Sequence, residues 1–324
     1  MTPDLFRTLV EKAAMAPSVH NVQPARWRLS GETVTLLQDT RHSLPAADPT
    51  GADVAKSLGA AFEGFSLAAS EAGLTVQTTP PAATDGPLRP IAEVRLSKGA
   101  DPDPLARHVP TRQSWRGGFA PATDVHRQTA ETLNGQDCTA ITDPHQIAEI
   151  AEVLDKASLL FLKQTAFRKE LLAWMRLRRG HARWARDGMN SEAMRLSRFE
   201  SLGAGVVMGP GFGLLNRFGL AETLMAEAPK TRTATAILLF HRPKDEDPFT
   251  SGRAFYRAWL RIEAAGFGAA VLAALADDPQ TAQQISAEAG LSEDRRLVSA
   301  FRIGPRPDHT PFARARRSLD EVIV

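Results

Sequence analysis

Apolar positions along this chain fall into short periodic runs cut by proline and glycine. The runs predict helices and strands in alternation. Residues 5–15 have helical spacing and stop just before Pro17, which disfavours helix at the position preceding it. Residues 26–37 alternate apolar and polar around Ser30-Gly31-Glu32, which predicts a hairpin. After a Pro/Asp-rich loop at 44–49, residues 51–72 place Val54, Leu58, Ala61, Phe62 and Phe65 mostly on one helical face. Gly73 stops that helix, and 74–77 and 91–96 read as strands.

The later part of the chain repeats this order. Residues 233–240 are β-like, a Pro/Asp loop covers 243–248, and a helix runs from Gly252 to Ala265. Gly266 stops it, 267–272 is extended, and 297–303 is a last strand. Locally, Ser70-Glu71-Ala72-Gly73-Leu74 resembles Ile262-Glu263-Ala264-Ala265-Gly266-Phe267. The expectation is an α+β chain of two related halves, 1–105 and 106–324. Chance likeness between generic strand–helix–strand segments is the competing reading. Between the halves lie helical patterns at 146–177 and 191–201, then the glycine-rich 203–213. No predicted strand precedes those glycines, so they do not make a dinucleotide-binding turn. A flexible covering lid within 190–220 is expected instead.

Composition narrows the class. The 324 residues carry a formal net charge of +2 with acids and bases interspersed, which argues against a nucleic-acid partner. The locally basic 176–186 reads as a solvated helix face rather than an anion-binding surface. One cysteine, Cys138, excludes a disulfide within the chain and a cysteine metal cage, and its setting suggests a structural thiol. No metal site is readable among the eight histidines. No signal-like or membrane-spanning run is present, so the expected location is cytoplasmic, with no membrane partner.

The most informative segment is Ala16-Pro17-Ser18-Val19-His20-Asn21-Val22-Gln23-Pro24, which puts four hydrogen-bonding side chains in six residues between two prolines. A helix-capping loop would satisfy the same pattern. A second segment, Thr111-Arg112-Gln113-Ser114-Trp115-Arg116-Gly117-Gly118-Phe119, offers a guanidinium fork and a hydroxyl at a spacing suited to phosphate. A third is the basic tail Arg314-Ala315-Arg316-Arg317.

Together these resemble the nitroreductase-like flavoproteins. The first resembles that family's Ala-Pro-Ser-x-x-Asn-x-Gln-Pro-Trp motif in its His-Asn, Acg-type form, with the tryptophan displaced to Trp27. The second is similar to Arg-Arg-Ser-x-Arg-x-Phe, with Thr111 in place of the first arginine. The resemblance implies FMN as cofactor. It also implies contacts from Pro17, Ser18, His20, Asn21 and Gln23, from Arg112, Gln113 and Ser114, and from Val271, Leu272 and Ala273 beside the ring. The phosphate would be met by Arg314, Arg316 and Arg317, with Arg317 first among them. Relatives often carry a proline where Val271–Ala273 stand.

Each motif occurs once, in opposite halves. One composite site per chain is therefore expected, in a monomeric pseudo-dimer that could still form a higher oligomer. The implied activity is an oxidoreductase passing hydride from NAD(P)H through flavin to a small nitroaromatic, quinone or specialised metabolite. The alternative is a protein that stores or sequesters FMN. His20 is expected either to meet flavin or substrate or to brace its loop, and His108 to brace the phosphate loop.

Overall fold

The computed structural model describes residues 1–82, 86–308 and 314–324. The chain opens with α1 (Pro3–Ala13), whose first turn is fixed by Pro3 and by the Thr2 hydroxyl accepting from the Leu5 amide. β1 (Ala25–Ser30) and β2 (Thr33–Asp39) form the expected hairpin, with Gly31 at positive φ in its turn. Helix α2 (Ala52–Glu71) follows, then β3 (Leu74–Thr79) and β4 (Leu88–Lys98). Next come α3 (Asp124–Glu131), β5 (Cys138–Ile141), α4 (Pro144–Lys163) and α5 (Thr165–Trp174).

Two-residue strands β6 (Met175–Arg176) and β7 (Met189–Asn190) pair in parallel and close the loop between them. Helices α6 (Arg198–Met208), α7 (Phe212–Arg217), α8 (Leu220–Met225) and α9 (Ala228–Thr231) lead into β8 (Ala236–Pro243). The chain continues through α10 (Pro248–Ala264), β9 (Gly268–Val271), α11 (Ala274–Asp277) and α12 (Pro279–Glu288). It finishes with β10 (Arg295–Gly304) and α13 (Leu319–Val322).

The strands make two four-stranded antiparallel sheets, ordered β1-β2-β4-β3 and β5-β8-β10-β9. Connectivity is the same in both. A central strand leads to a long helix, the helix to an edge strand, and the edge strand to the other central strand (β2-α2-β3-β4 and β8-α10-β9-β10). Both helices end at a left-handed glycine, Gly73 at φ 70° and Gly266 at φ 81°. This shared topology is what two related α+β halves require.

The halves meet along α2 and α10, which cross at two glycines. A Cβ on Gly59 would lie 1.9 Å from the Phe249 carbonyl oxygen, and one on Gly252 would lie 2.1 Å from that of Lys56. Each glycine therefore meets the backbone three residues before the other, as a two-fold relation between the helices demands. Glu63 of α2 accepts from Arg253 (2.8 Å) and Arg257 (2.9 Å) of α10 beside the crossing. Tyr256 and Leu260 of α10 enter the first half's core, whereas Ala258, Trp259 and Ile262 enter the second half's.

The second sheet is covered on both faces. Ile237 and Leu239 of β8 pack with Ile147, Ile150 and Leu154 of α4; Ala236, Leu238 and Phe240 pack with α10. An unbroken apolar strand follows from burial on both sides. In the first half, Trp27 is fully buried and stacks on Phe65 at 4.7 Å. Cys138 is buried too, and burial, with Asp137 adding to it, pushes its thiol up to about 12, as suits a structural residue.

Several element expectations are corrected. The pattern at 146–177 is two helices, because Gln164 takes an extended conformation that caps α5. Helix in 191–201 begins only at Arg198, where Ser197 and Glu200 form a reciprocal cap. The glycine-rich 203–213 is no open loop but lies largely in α6 and the start of α7. Val207, Met208 and Phe212 are buried there, with Met208 and Phe212 packing on Leu162. That burial outweighs the roughly 1 kcal/mol helix penalty of each interior glycine. Residues 177–188 are not helical, and Arg176 is buried against Asp187 at 2.7 Å instead of lying on a solvated face.

Candidate functional site

Pro17 follows α1, and the next residues form a tight loop ahead of β1. Ser18 holds the loop: its carbonyl accepts from the Asn21 amide (2.9 Å) and its hydroxyl from the Gln23 amide (3.0 Å). His20, Asn21 and Gln23 all adopt positive φ, at 42°, 55° and 52°. Left-handed backbone costs roughly 1–2 kcal/mol per L-residue, so three such residues in four mark a segment over-determined by its surroundings.

Those surroundings are the tail and the 186–188 loop. Asn21 donates to the carbonyls of Gly188 (2.9 Å) and Ala315 (3.0 Å) and accepts from Arg316 (3.0 Å). Gln23 donates to the Arg186 carbonyl (2.9 Å) and accepts from the Arg317 amide (3.0 Å). Both side-chain amides thus clamp the tail. The His20 ring remains, with a buried Nδ1 that has no hydrogen-bond partner among the described residues. Burial, then the Arg116 charge, lowers its pKa to about 4 against the opposing pull of Asp53, so the ring is neutral.

The arginine–serine segment runs beside β9. The Trp115 amide donates to the Ala269 carbonyl at 2.7 Å, and Ser114 bridges the same residue. The turn before it hangs on the His108 carbonyl, which accepts from the Arg112 amide (3.0 Å) and the Thr111 hydroxyl (3.2 Å). Arg112 is buried, with its guanidinium 4.5 Å from the Trp259 ring and donating to the Met15 carbonyl at 2.9 Å. Gln113 and Ser114 are half-buried.

Arg316 donates to the same Met15 carbonyl at 3.2 Å, and Arg314 donates to the Pro110 carbonyl at 2.6 Å. Burial, together with the other arginines, depresses the Arg112, Arg314 and Arg316 guanidinia below their ordinary value. Among the described residues, none of the three has a carboxylate within ion-pair distance. Arg112 Nε, Arg316 Nε and the fully buried Tyr256 hydroxyl have no partner at full hydrogen-bond geometry among the described residues, and the Tyr256 hydroxyl lies close enough to Arg112 for each to shift the other's titration. The carboxylate charge felt at Arg112 and Arg314 is that of Glu263, which is itself paired with Arg306.

Arg317, expected to lead the phosphate contacts, is committed elsewhere. It pairs with the buried Asp187 at 2.9 Å and donates to His42 Nε2 at 2.7 Å. The ring-side residues also divide: Val271 and Ala273 are exposed, whereas the Leu272 side chain is in the core and its amide bonds to the Ala300 carbonyl at 2.8 Å.

No family model matches the chain. Two proteins of Mycobacterium tuberculosis do. Putative NAD(P)H nitroreductase acg is 37% identical over 75 residues, 23% of each chain, and its namesake Rv3131 is 24% identical over 177 residues, 53% of this chain and 51% of the relative. Over those stretches the chain is similar to proteins named as NAD(P)H nitroreductases. The matches span about a quarter of one relative's length and about half of the other's. Among solved structures, the FMN-dependent nitroreductase NfnB of Mycobacterium smegmatis in complex with NADPH is 16% identical. That alignment covers 66% of this chain and 94% of that one, with a TM-score of 0.37. A Bacteroides fragilis nitroreductase with bound FMN is 10% identical over 65% of this chain and 92% of that one, with a TM-score of 0.35.

Two residues near the arginine cluster were not singled out from the sequence. Arg116 has a guanidinium whose one hydrogen bond among the described residues goes to the Met189 sulfur at 3.6 Å, and its charge is felt at His20. Its signal was the second basic position of the arginine–serine motif. Tyr256 gave no local signal, because only the packing of α10 against the first half brings its hydroxyl to the arginines.

Proposed function

We propose that the chain binds FMN at the junction of its two halves and works as an NAD(P)H-dependent oxidoreductase. The carrying observation is the cluster of buried Arg112 with half-buried Arg314 and Arg316, which has no carboxylate at ion-pair distance among the described residues and whose Arg112 and Arg316 Nε groups lack hydrogen-bond partners. A phosphate monoester supplies the charge and acceptor oxygens that these donors lack. The motif resemblance and the names of the two mycobacterial relatives favour FMN as its bearer.

When bound, FMN would supply a hydride acceptor and donor at its N5, and the protein would orient it and set its electrostatics. Val271, Ala273 and His20 are the groups left to face a ring, since Asn21 and Gln23 are taken up by the tail. His20 is neutral and Arg116 cationic, so together they favour negative charge developing nearby. The acceptor is taken to be a small nitroaromatic, quinone or specialised metabolite.

FMN storage is the second reading. The tail strapped across the site through Asn21, Gln23 and Arg317 favours it, because release would require those bonds to open. One experiment separates the two. Purified protein is checked for flavin absorbance and mixed anaerobically with NADH or NADPH. Bleaching at ordinary turnover rates, about 1–1,000 per second, supports the enzyme. A bound flavin that stays oxidised supports storage, and a protein that neither carries nor takes up FMN ends both.

A further inference from the structure

Helices α6, α7 and α8 carry an apolar surface that no other part of the described chain covers. Phe199, Leu202 and Val206 lie along α6 at helical spacing and are exposed, Phe199 by 88%. Leu214 on α7, Phe218 at 68%, and Leu220 and Leu224 on α8 continue the exposure. Each of the seven is at least half exposed, beyond the singly scattered apolar residues of an ordinary surface. Residues 201–216 contain no charged side chain; Arg198 and Glu200 stand just before that stretch, Arg217 just after it, and Glu222 on α8.

A second feature abuts the first. Leu177 reaches α6, with its Cδ1 3.4 Å from where a Cβ on Gly205 would be. Immediately beyond Leu177, Arg178, Arg179, Arg183 and Arg186 are exposed. Arg179 and Arg186 have carboxylate partners in Glu192 and Glu321. Among the described residues Arg178 and Arg183 have none. An uncovered apolar helix face edged by free arginines is the chemistry of a peripheral surface for anionic lipid. Apolar side chains enter the headgroup boundary while the cations meet the phosphates. No helix of the described residues is long and apolar enough to cross a membrane, so the contact lies in the interface plane.

We propose that α6–α8 and the adjoining arginine loop form a membrane-docking surface selective for anionic lipid. This departs from the expectation of no membrane partner, and it stands independently of the flavin reading. A second copy of the chain is the competing occupant. It is disfavoured because pairing apolar faces in that way gives Arg178 and Arg183 no role.

The test uses the full chain and vesicles of phosphatidylcholine alone or mixed with phosphatidylglycerol, separated by flotation. The protein is expected to float with the mixed vesicles and not with the neutral ones. Phe199→Ser with Phe218→Ser should weaken that binding about tenfold or more. Arg178→Glu with Arg183→Glu should weaken it roughly tenfold and lower its sensitivity to salt. All four side chains are exposed, so unchanged melting temperatures confirm intact folding. Absence of flotation with either lipid overturns the proposal, as does equal flotation with both. A dimer in sedimentation velocity that the two phenylalanine substitutions dissociate overturns it in favour of a second copy.

Discussion

Two histidines are held neutral inside the fold and resist protonation. His20 is lowered to about 4 by burial and Arg116. His42 is lowered to about 4 by burial and by Arg317, against the pull of Asp39. Above pH about 6.5 both are neutral folded or unfolded and contribute nothing. Between 6.5 and 4 the unfolded chain takes up protons that the native chain refuses, so stability falls with pH by up to about 1.4 kcal/mol per pH unit for His20, less for the more open His42. Asp39, depressed to about 2, contributes stability that is lost only below pH about 4, outside that window. Asp277, pushed up to about 7 mainly by burial, works in the opposite sense over the same window, so the readout is the difference between variant and parent: thermal melts at pH 7.5 and 5.5 should show His20→Gln losing less stability than the parent on acidification. An equal loss would locate the proton uptake elsewhere.

Arg112→Ala should weaken FMN binding by about 10- to 150-fold, the worth of one charge-assisted contact, and riboflavin binding far less. Equal losses in fluorescence titration would make the residue structural. At this scale the sequence did not show which partners each arginine of the tail takes. Residues 314–317 read as one basic cluster, yet Arg314 and Arg316, two apart, turn to the Pro110 and Met15 carbonyls beside Arg112 while Arg317 turns to Asp187. No pattern within four residues reveals a partner 130 positions away.

Helices and strands with strong periodicity were read to within a few residues, because burial of one face fixes both pattern and fold. The reading failed where burial came from distant helices. Glycine-rich 203–213 looked breakable by composition, and only its packing on α4 and α5 shows why it is helical. The glycines of the α2–α10 crossing were invisible for the opposite reason: a sequence does not say that another backbone passes within contact distance. Gly59→Ala or Gly252→Ala should therefore cost at least about 1–3 kcal/mol through overpacking, seen as a lowered melting temperature. Gly203→Ala, in open space on α6, should be stabilising by about 0.5–1 kcal/mol. If the crossing variants melt like the parent, the helices do not approach as closely as their glycines suggest.

At the scale of the whole molecule, the proposed FMN site draws Pro17–Pro24 from one half and Arg112–Phe119 from the other. The expected stoichiometry is one FMN per chain, measured as flavin absorbance against protein mass, and two would contradict the composite site. The shared core through α10 also implies that neither half folds when expressed alone, since Tyr256 and Leu260 would lose the packing of α1 and α2.

The same covalent joining changes how the molecule can vary. When two identical chains pair, every substitution lands twice, and an insertion that suits one side must be tolerated on the other. Here Pro17–Pro24 changes without altering any twin, and the helical arm α6–α8 is carried once, by one side of the two-fold relation. A crowded or costly addition need be compatible with only one of the two faces, which leaves the opposite face free to drift toward whatever keeps it soluble.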